Sequence, residues 1–513
     1  MAEPVWKLDA EKSEQLDRSA ENAADQTISV AAGDGIGPEI TAATLQVLDA
    51  AHVPLRFQPI EMGLQCWQQG LTSGVPGASW DAIRDSGVLL KGPMTTPQGS
   101  GMKSLNVTLR KSLGLFANVR PVRAYVPYVP SHHPDVDLVI IRENEEDLYA
   151  GIEHRQTQDV VQCLKLVSRP GCERIIRYAF EYVMTRQRKR LTCMTKDNIM
   201  KLTDGLFHEV FDDVAREYPD VEADHMIVDI GMARVANEPE SFDVIVTPNL
   251  YGDIVSDIAA EVTGSVGLAP SANIGETISV FEAIHGSAPD IAGENIANPS
   301  GLLLSAVKML AHLGQGDKAE LIHDAWLRTI EDGIHTQDIY SPHHSKACVG
   351  TEAFANAVIR RLGSQAQELG RAYYPRRRLA VTPRATATEH KRELVGVDVF
   401  VQSRTAAETL AGRLQVVDSP LALHMITNRG VQVWPQGAPE TYCTDHWRCR
   451  FKLAENKMPN ATSASARPAA GVLSNREIFA LLTQLDEAGV DIVKTEHLYN
   501  FDGQPGYSLG QGQ

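Results

Sequence analysis

The sequence predicts an α/β protein with a second, smaller α+β domain at its C-terminal end. Three observations carry that expectation. From residue 27 to 362, short β-branched runs alternate with amphipathic segments of helical period, the pattern of a substantial sheet covered by helices. From 363 to 392 the composition becomes basic and turn-rich, with YYPRRR and VTPRATATEHKR, as in a linker. Beyond it, residues 393–513 carry strand and helix patterns of their own. A chain of 513 residues is also too long for one ordinary core.

The elements follow in order. Residues 1–26 are acidic and polar, without the basic start or apolar segment of a targeting peptide, and read as an unstructured leader. The strand runs are TISVAAG, GVLLKG, VDLVIIR, RLTCMTK, HMIVDIG and FDVIVTPN. Helical patterns lie between them over 38–51, 172–188, 201–217, 300–313, 318–332 and 351–362. In the last domain VGVDVFVQS alternates as a strand and TAAETLAGRL reads as a helix. HMITNRGVQVWP is two strands around an Asn-Arg-Gly turn, YCTDHWRCRFKL is another strand, and a helix follows near 474–489. The small, polar stretch ENKMPNATSASARPAAG reads as a mobile loop.

Composition narrows the function classes. The hydrophobic and charged fractions, 43% and 22%, are those of a soluble globular protein, and no apolar run approaches the roughly 20 residues of a membrane span. A formal charge of −17 argues against a nucleic-acid partner, which draws on a basic field. The seven cysteines are scattered and lack any CxxC pair. That pattern suits a reducing, cytoplasmic setting and speaks against a zinc site or a disulfide framework.

Gly33-Asp34-Gly35-Ile36-Gly37-Pro38-Glu39 follows a strand and opens a helix. It fails the dinucleotide fingerprint, because Pro38 stands where a glycine is wanted and no acid ends a second strand at the right distance. A Rossmann domain is not expected. Asn249-Leu250-Tyr251-Gly252-Asp253-Ile254-Val255-Ser256-Asp257 follows a strand, and a helix beginning near Gly252 puts Asp253 and Asp257 on one face. Two carboxylates that close repel unless a cation sits between them. Hard oxygen ligands favour Mg²⁺ or Mn²⁺ over zinc. Asp229, read as ending the strand HMIVDIG, can add a third oxygen. The plainer alternative is a solvated helix start with aspartates favoured by the helix dipole. Arg110, Arg120 and Arg142 stand near strand or helix ends, where each can fork onto a carboxylate. A helix beginning near Ser104 would aim Ser104 and Asn106 from its first turn.

GDGIGPE, TTPQGSGMKSLNVTLRK, NVRPVR, RENEEDLYAGIE, TKDNIMK, NLYGDIVSDIAA, APSANIG and FEAIHGSAPDIAG occur in that order across residues 28–362. In these motifs the chain resembles the isocitrate and isopropylmalate dehydrogenase family. The resemblance implies a large open-sheet domain built from both ends of the region, not Rossmann, with a smaller domain inserted over roughly 122–260. It implies a homodimer or higher oligomer with shared active sites, Lys196 and Asp229 reaching into the partner's site.

The SLNV-type helix implies isocitrate as the small-molecule substrate, with Ser104 and Asn106 on its γ-carboxylate, since an apolar pocket would leave that charge unpaired. Arg110, Arg120 and Arg142 would hold the carboxylates. Lys196 would take the hydroxyl proton and Tyr149 would protonate the enolate. Asp229, Asp253 and Asp257 would hold Mg²⁺ or Mn²⁺. Homoisocitrate and isopropylmalate stay open as substrates, as does a non-catalytic regulatory subunit.

By the same resemblance Thr95, Glu282, His285, Gly286, Ser287, Ala288, Asp290, Ile291 and Asn298 belong to the cofactor site, His285 as an adenine-stacking residue. NADP-using relatives carry Lys-Tyr where this chain has Asp290-Ile291. A carboxylate accepts from a ribose 2′-OH and repels a 2′-phosphate, so NAD is the expected cofactor. The C-terminal domain resembles the tail of some bacterial isocitrate dehydrogenases, and its residues suggest no site.

Overall fold

The computed structural model describes residues 26–96, 104–374, 389–415, 418–454 and 473–510. The expected leader up to residue 25, the middle of the expected linker (375–388) and the expected mobile loop (455–471) lie outside the described residues. Two compact units are present. One holds residues up to Ala150 and from Lys165 to the linker, and the other joins Gly151–Leu164 to the C-terminal residues. No described helix is long and apolar enough to cross a membrane.

The first unit is built on one ten-stranded sheet, and its architecture is the expected α/β one. The strand order is Arg56–Pro59, Thr27–Ala31, Val88–Lys91, Ser279–Ala283, Pro270–Ile274, Ala117–Arg123, Asp137–Glu143, Val244–Thr247, Arg190–Thr195, Glu222–Ile227. Each outer block of four is parallel; inner strands such as Val88–Lys91 and Val244–Thr247 are buried throughout and read as short, largely apolar runs, while the edge strands Arg56–Pro59 and Glu222–Ile227 are polar and partly exposed. The blocks meet through Pro270–Ile274 and Ala117–Arg123, each antiparallel to both its neighbours.

That seam sets the site. Asn118 pairs with Arg142 on one side and with Asn273 on the other, and Ser271 pairs with Glu282. Residues paired across strands share a face, and so do residues two apart along one strand. Arg120 therefore stands on the same side as Asn118. The result is a polar floor within an otherwise apolar sheet.

Two expected elements that carry site residues take other bounds. The run HMIVDIG is not one strand: Glu222–Ile227 ends at Ile227 and the helix Val228–Asn237 begins at once. Asp229 thus stands in a first helical turn, where the helix dipole favours its charge. Gly231 lets this helix close on the strand beside it, where a Cβ would lie 2.8 Å from Met194 Sδ. The helix carrying Asp253 begins at Asn249, three residues earlier than expected, which leaves the spacing to Asp257 unaffected.

The second unit is a six-stranded antiparallel sheet ordered Val431–Trp434, Leu421–Asn428, His446–Leu453, Arg392–Gln402, Asp491–Phe501, Gln504–Pro505. The helices Ala407–Leu414 and Asn475–Glu487 bury Leu410, Leu414, Ile478 and Leu481 in its core. The first two strands turn at Arg429 and Gly430, both at positive φ, as a tight hairpin requires. Arg450 forks onto Asp398 at 2.7 and 2.8 Å in the interior. The hairpin at 153–163 joins this unit, with Thr157 donating to Asp445 at 2.7 Å.

Candidate active site

The helix Asn249–Val262 leaves the carboxyl end of Val244–Thr247 beside the polar floor, where open α/β sheets place their sites. Asp147 accepts from Leu250 N at 2.8 Å and fixes the helix start. Asn249 Oδ1 accepts from Arg142 Nε and Nη2 at 2.9 and 2.8 Å. Gly252 is the residue that lets Arg142 lie across the helix, because a Cβ there would be 2.5 Å from Arg142 Cγ.

Asp253 is where the predicted residues converge. Its Oδ1 accepts from Arg120 Nη1 at 3.2 Å and, closely, from Arg142 Nη1, and its Oδ2 accepts from the Tyr149 hydroxyl at 2.5 Å. Arg120 also donates to Ser256 Oγ at 2.6 Å, and the Arg142 guanidinium stacks 4.8 Å from the Tyr149 ring centre. Asp257, one turn on, is largely exposed and lies 3.9 Å from Arg120.

Burial alone would raise the Asp253 carboxyl. The Arg142 and Arg120 charges outweigh it and hold Asp253 below the usual carboxylate range. Asp257 goes the other way: partial desolvation on the side facing the floor, together with Asp253, pushes it up against the opposing Arg120 charge. Burial, then Arg120 and Arg110, push the Arg142 guanidinium down to about 9. Burial likewise raises the Tyr149 phenol, keeping its proton at neutral pH.

The third arginine enters through Glu282. This buried carboxylate binds Lys91 Nζ at 2.5 Å, Arg110 Nη2 at 3.2 Å and Asn273 Nδ2 at 2.8 Å. Asn273 Oδ1 accepts from Asn118 and Asn144 at 2.9 and 3.1 Å. Ser104 is the N-cap of the helix Leu105–Ser112, so it and Asn106 do stand in that first turn. Asn106 Oδ1 and Arg110 Nε are buried without a hydrogen-bond partner. Unpartnered buried polar atoms are costly unless something else meets them.

Lys196 and Asp229 pair with each other at 2.9 Å. They do not join the Asp253 group within the chain, and the three expected metal carboxylates do not cluster in it. Two buried aspartates brace this region. Asp204 accepts from Lys196 N at 2.7 Å, and Lys165 Nζ bridges Asp204 and Asp147 at 2.5 and 3.4 Å. A second cluster, Asp197, His208 and His225, lies nearby. Its imidazoles stack at 3.6 Å and 15°, so their lone pairs lie in two near-parallel planes and no ion can lie in both. Asp197 instead accepts from His208 Nδ1 at 2.7 Å.

The glycine loop 33–37 is a clasp. Ile36 N donates to Ser287 O at 2.9 Å, Thr95 Oγ1 meets Ser287 Oγ at 2.7 Å, and Asp34 accepts from Thr95 N at 2.8 Å. At Gly35, with φ +57°, a Cβ would sit 1.9 Å from Ser287 O. The clasp fixes the loop that begins at His285, whose Nε2 is buried and unpartnered and whose ring burial holds neutral. Ala288 turns through positive φ. Asn298 is already committed, donating to Asp338 Oδ2 and accepting from Ser300 N, both at 2.9 Å. Lys91, Asn118, Asn144, Asn273 and Asp34 were not singled out in the sequence. The legible signal was a lysine ending the apolar run VLLK and asparagines within strands.

The sheet sets an arginine-lined floor beside two aspartates one helical turn apart, and the comparisons give this arrangement its family. The chain belongs to the isocitrate/isopropylmalate dehydrogenase family, whose model matches residues 27–358, and residues 392–513 match the model of the bacterial isocitrate dehydrogenase C-terminal domain. It is 50% identical over 492 residues to an isocitrate dehydrogenase (NADP) of Rickettsia bellii, covering 95% of this chain and 99% of that protein. With an isocitrate dehydrogenase (NADP) of Thermus thermophilus it shares 43% over 493 residues, 95% and 96% of the two chains. The crystal structure of the TT0538 protein from Thermus thermophilus superposes with a TM-score of 0.88 at 43% identity, covering 95% and 96%.

These relatives overturn the expected NAD preference. Six that match 95% of the chain, at 43–50% identity, are all named for NADP. The structure shows where the charge argument failed. It holds only where the carboxylate faces the 2′ position at close range. Asp290 is instead exposed on the short turn Pro289–Ile291, with no ion pair or hydrogen bond among the described residues. A solvated carboxylate is screened and free to turn away.

Proposed function

We propose that the chain catalyses the oxidative decarboxylation of isocitrate to 2-oxoglutarate and CO₂, with NADP as hydride acceptor and Mg²⁺ or Mn²⁺ as the metal. The observation that carries this reading is the meeting of Arg110, Arg120 and Arg142 over one polar floor beside Asp253 and Asp257. Three guanidinium forks suit a tricarboxylate. The Asn106 amide and the Ser104 hydroxyl, in the first turn of their helix, suit its γ-carboxylate.

The donor set is hard oxygen, which fits Mg²⁺ or Mn²⁺ held by Asp253 and Asp257 with Asp229 from a second copy of the chain. Such an ion would stabilise negative charge on the substrate oxygen through the oxidation and the loss of CO₂. Arg110, Arg120 and Arg142 position the carboxylates. Lys196 Nζ accepts the C2 hydroxyl proton. Tyr149, kept protonated by its burial, returns a proton to carbon after CO₂ leaves. His285, Ser287 and Thr95 receive the dinucleotide. The seven free cysteines suit a reducing cytoplasm.

Two results test the reading. With NADP and Mg²⁺, isocitrate should yield 2-oxoglutarate while homoisocitrate and 3-isopropylmalate turn over at least about a hundredfold less efficiently; a preference for either of those would end it. The kcat/KM for NADP should exceed that for NAD, and Asp290→Asn should change their ratio less than about threefold because that side chain is solvated.

Sharing of sites between two copies has its own test. Lys196→Met and Asp253→Asn should each be inactive as pure proteins. Co-expressed, they form mixed dimers with one intact site, and activity should return to about a quarter of wild type. No recovery in isolated mixed dimers would place Lys196 in its own chain's site.

A further inference from the structure

Lys196 lies between the strand Arg190–Thr195 and the helix Thr203–Ala215, and three side chains hold the stretch around it. Asp204, in the first turn of that helix, accepts from Lys196 N at 2.7 Å. His208, four residues on and so on the same face, donates from Nδ1 to Asp197 Oδ2 at 2.7 Å. His225 stands on the neighbouring parallel strand opposite Cys193, and its Nε2 meets Thr195 Oγ1 at 2.8 Å. Each residue flanking Lys196 is thus held by one imidazole. The two imidazoles in turn hold each other, face to face at 3.6 Å and 15° from parallel. His225 also stands four residues before Asp229, the carboxylate that pairs with Lys196.

The charges facing the rings come from three elements. Asp197 follows the strand of Lys196, Asp212 lies 3.7 Å from His208 Nε2 on the helix, and Asp224 adjoins His225 on its own strand. Burial, then His208, hold the His225 imidazole below its usual range against the pull of these carboxylates. Like charges at stacking distance repel, so the closed stack carries one proton charge and not two.

We propose that the stacked His208–His225 pair is a positioning device for Lys196, fixing the residues on either side of it so that its Nζ meets the C2 hydroxyl. The proposal rests on the reading of Lys196 as the proton acceptor of a site shared between two chains. A second proton drives the rings apart and frees Asp197 and Thr195, so the positioning is lost in acid.

The test uses isolated mixed dimers. A Lys196→Met chain paired with an Asp253→Asn chain leaves one working site, whose Lys196 comes from the Asp253→Asn chain. His208→Ala in that chain should lower kcat about tenfold and change KM for isocitrate less than about twofold, because Lys196 moves a proton while the arginines hold the carboxylates. Placed in the Lys196→Met chain, the same substitution should cost less than about twofold, because that chain has no lysine left to position. His208→Gln in the Asp253→Asn chain can still donate to Asp197 but takes up no proton. It should keep kcat within about threefold of the reference pair at about pH 7.5, and lose less than the reference on going to about pH 5.5. Equal losses from the two placements of His208→Ala, no loss from either, or a His208→Gln profile that follows the reference into acid would each overturn the proposal. An inactive reference pair would end the sharing of sites instead, and the kcat and KM of the uniform His208→Ala protein would then decide the proposal by the same split.

Discussion

Asp253→Asn lowers kcat/KM for isocitrate by about a thousandfold, the scale of losing a preorganised charge from a reacting site. The substitution keeps the shape of the side chain and removes only its charge. Asp253 is the carboxylate on which Arg120, Arg142 and Tyr149 all converge, and it faces Asp257 one turn away. Asparagine leaves a single carboxylate in this chain to attract a divalent ion, so Mn²⁺ binding, followed by its paramagnetic signal, should weaken in step with activity. Asp257→Asn, at an exposed position, should weaken Mn²⁺ as well but leave the arginines in place. Activity of Asp253→Asn within tenfold of wild type would remove this residue from the chemistry.

The second large effect is on stability. Glu282→Gln destabilises the catalytic unit by about 3–5 kcal/mol, because it strands the buried Lys91 ammonium and takes a charge from Arg110. Its pH dependence has a definite sign. Burial alone would raise the Glu282 carboxyl, but Lys91 and Arg110 more than offset this and hold it far below the usual range. A depressed folded pKa contributes stability that is complete above the unfolded value, about 4.3 for Glu, and is lost as the pH falls below it. Wild type and Glu282→Gln should therefore differ most in urea midpoint at neutral pH and converge in acid. Equal midpoints at pH 7 would show that the pair contributes nothing net.

Much of this was legible in residue order. The parallel blocks were visible because strands covered on both faces are apolar runs, as in VDLVIIR and FDVIVTPN. The helix carrying Asp253 and Asp257 was visible because their spacing is that of one turn. Other features depend on partners far along the chain. The strand Asp491–Phe501 was missed because it is mostly half-exposed and carries charges throughout, so no alternation marks it. HMIVDIG was read as one strand because helix entry at Val228 depends on Gly231 closing on Met194, a contact invisible to local pattern. The polar floor needs register between strands about 150 residues apart, which no local spacing encodes. The cofactor reading failed at Asp290 for a related reason: the sign of a charge is written in the sequence, but its exposure is not.

The most direct measurement is the initial rate of NADPH formation at 340 nm from isocitrate and NADP, with Mg²⁺, after chelation, and after adding the metal back. The account predicts rapid formation, loss on chelation, full recovery with Mg²⁺ or Mn²⁺, and a much lower rate with NAD. Turnover that persists in excess chelator, or that runs faster with NAD, would contradict it.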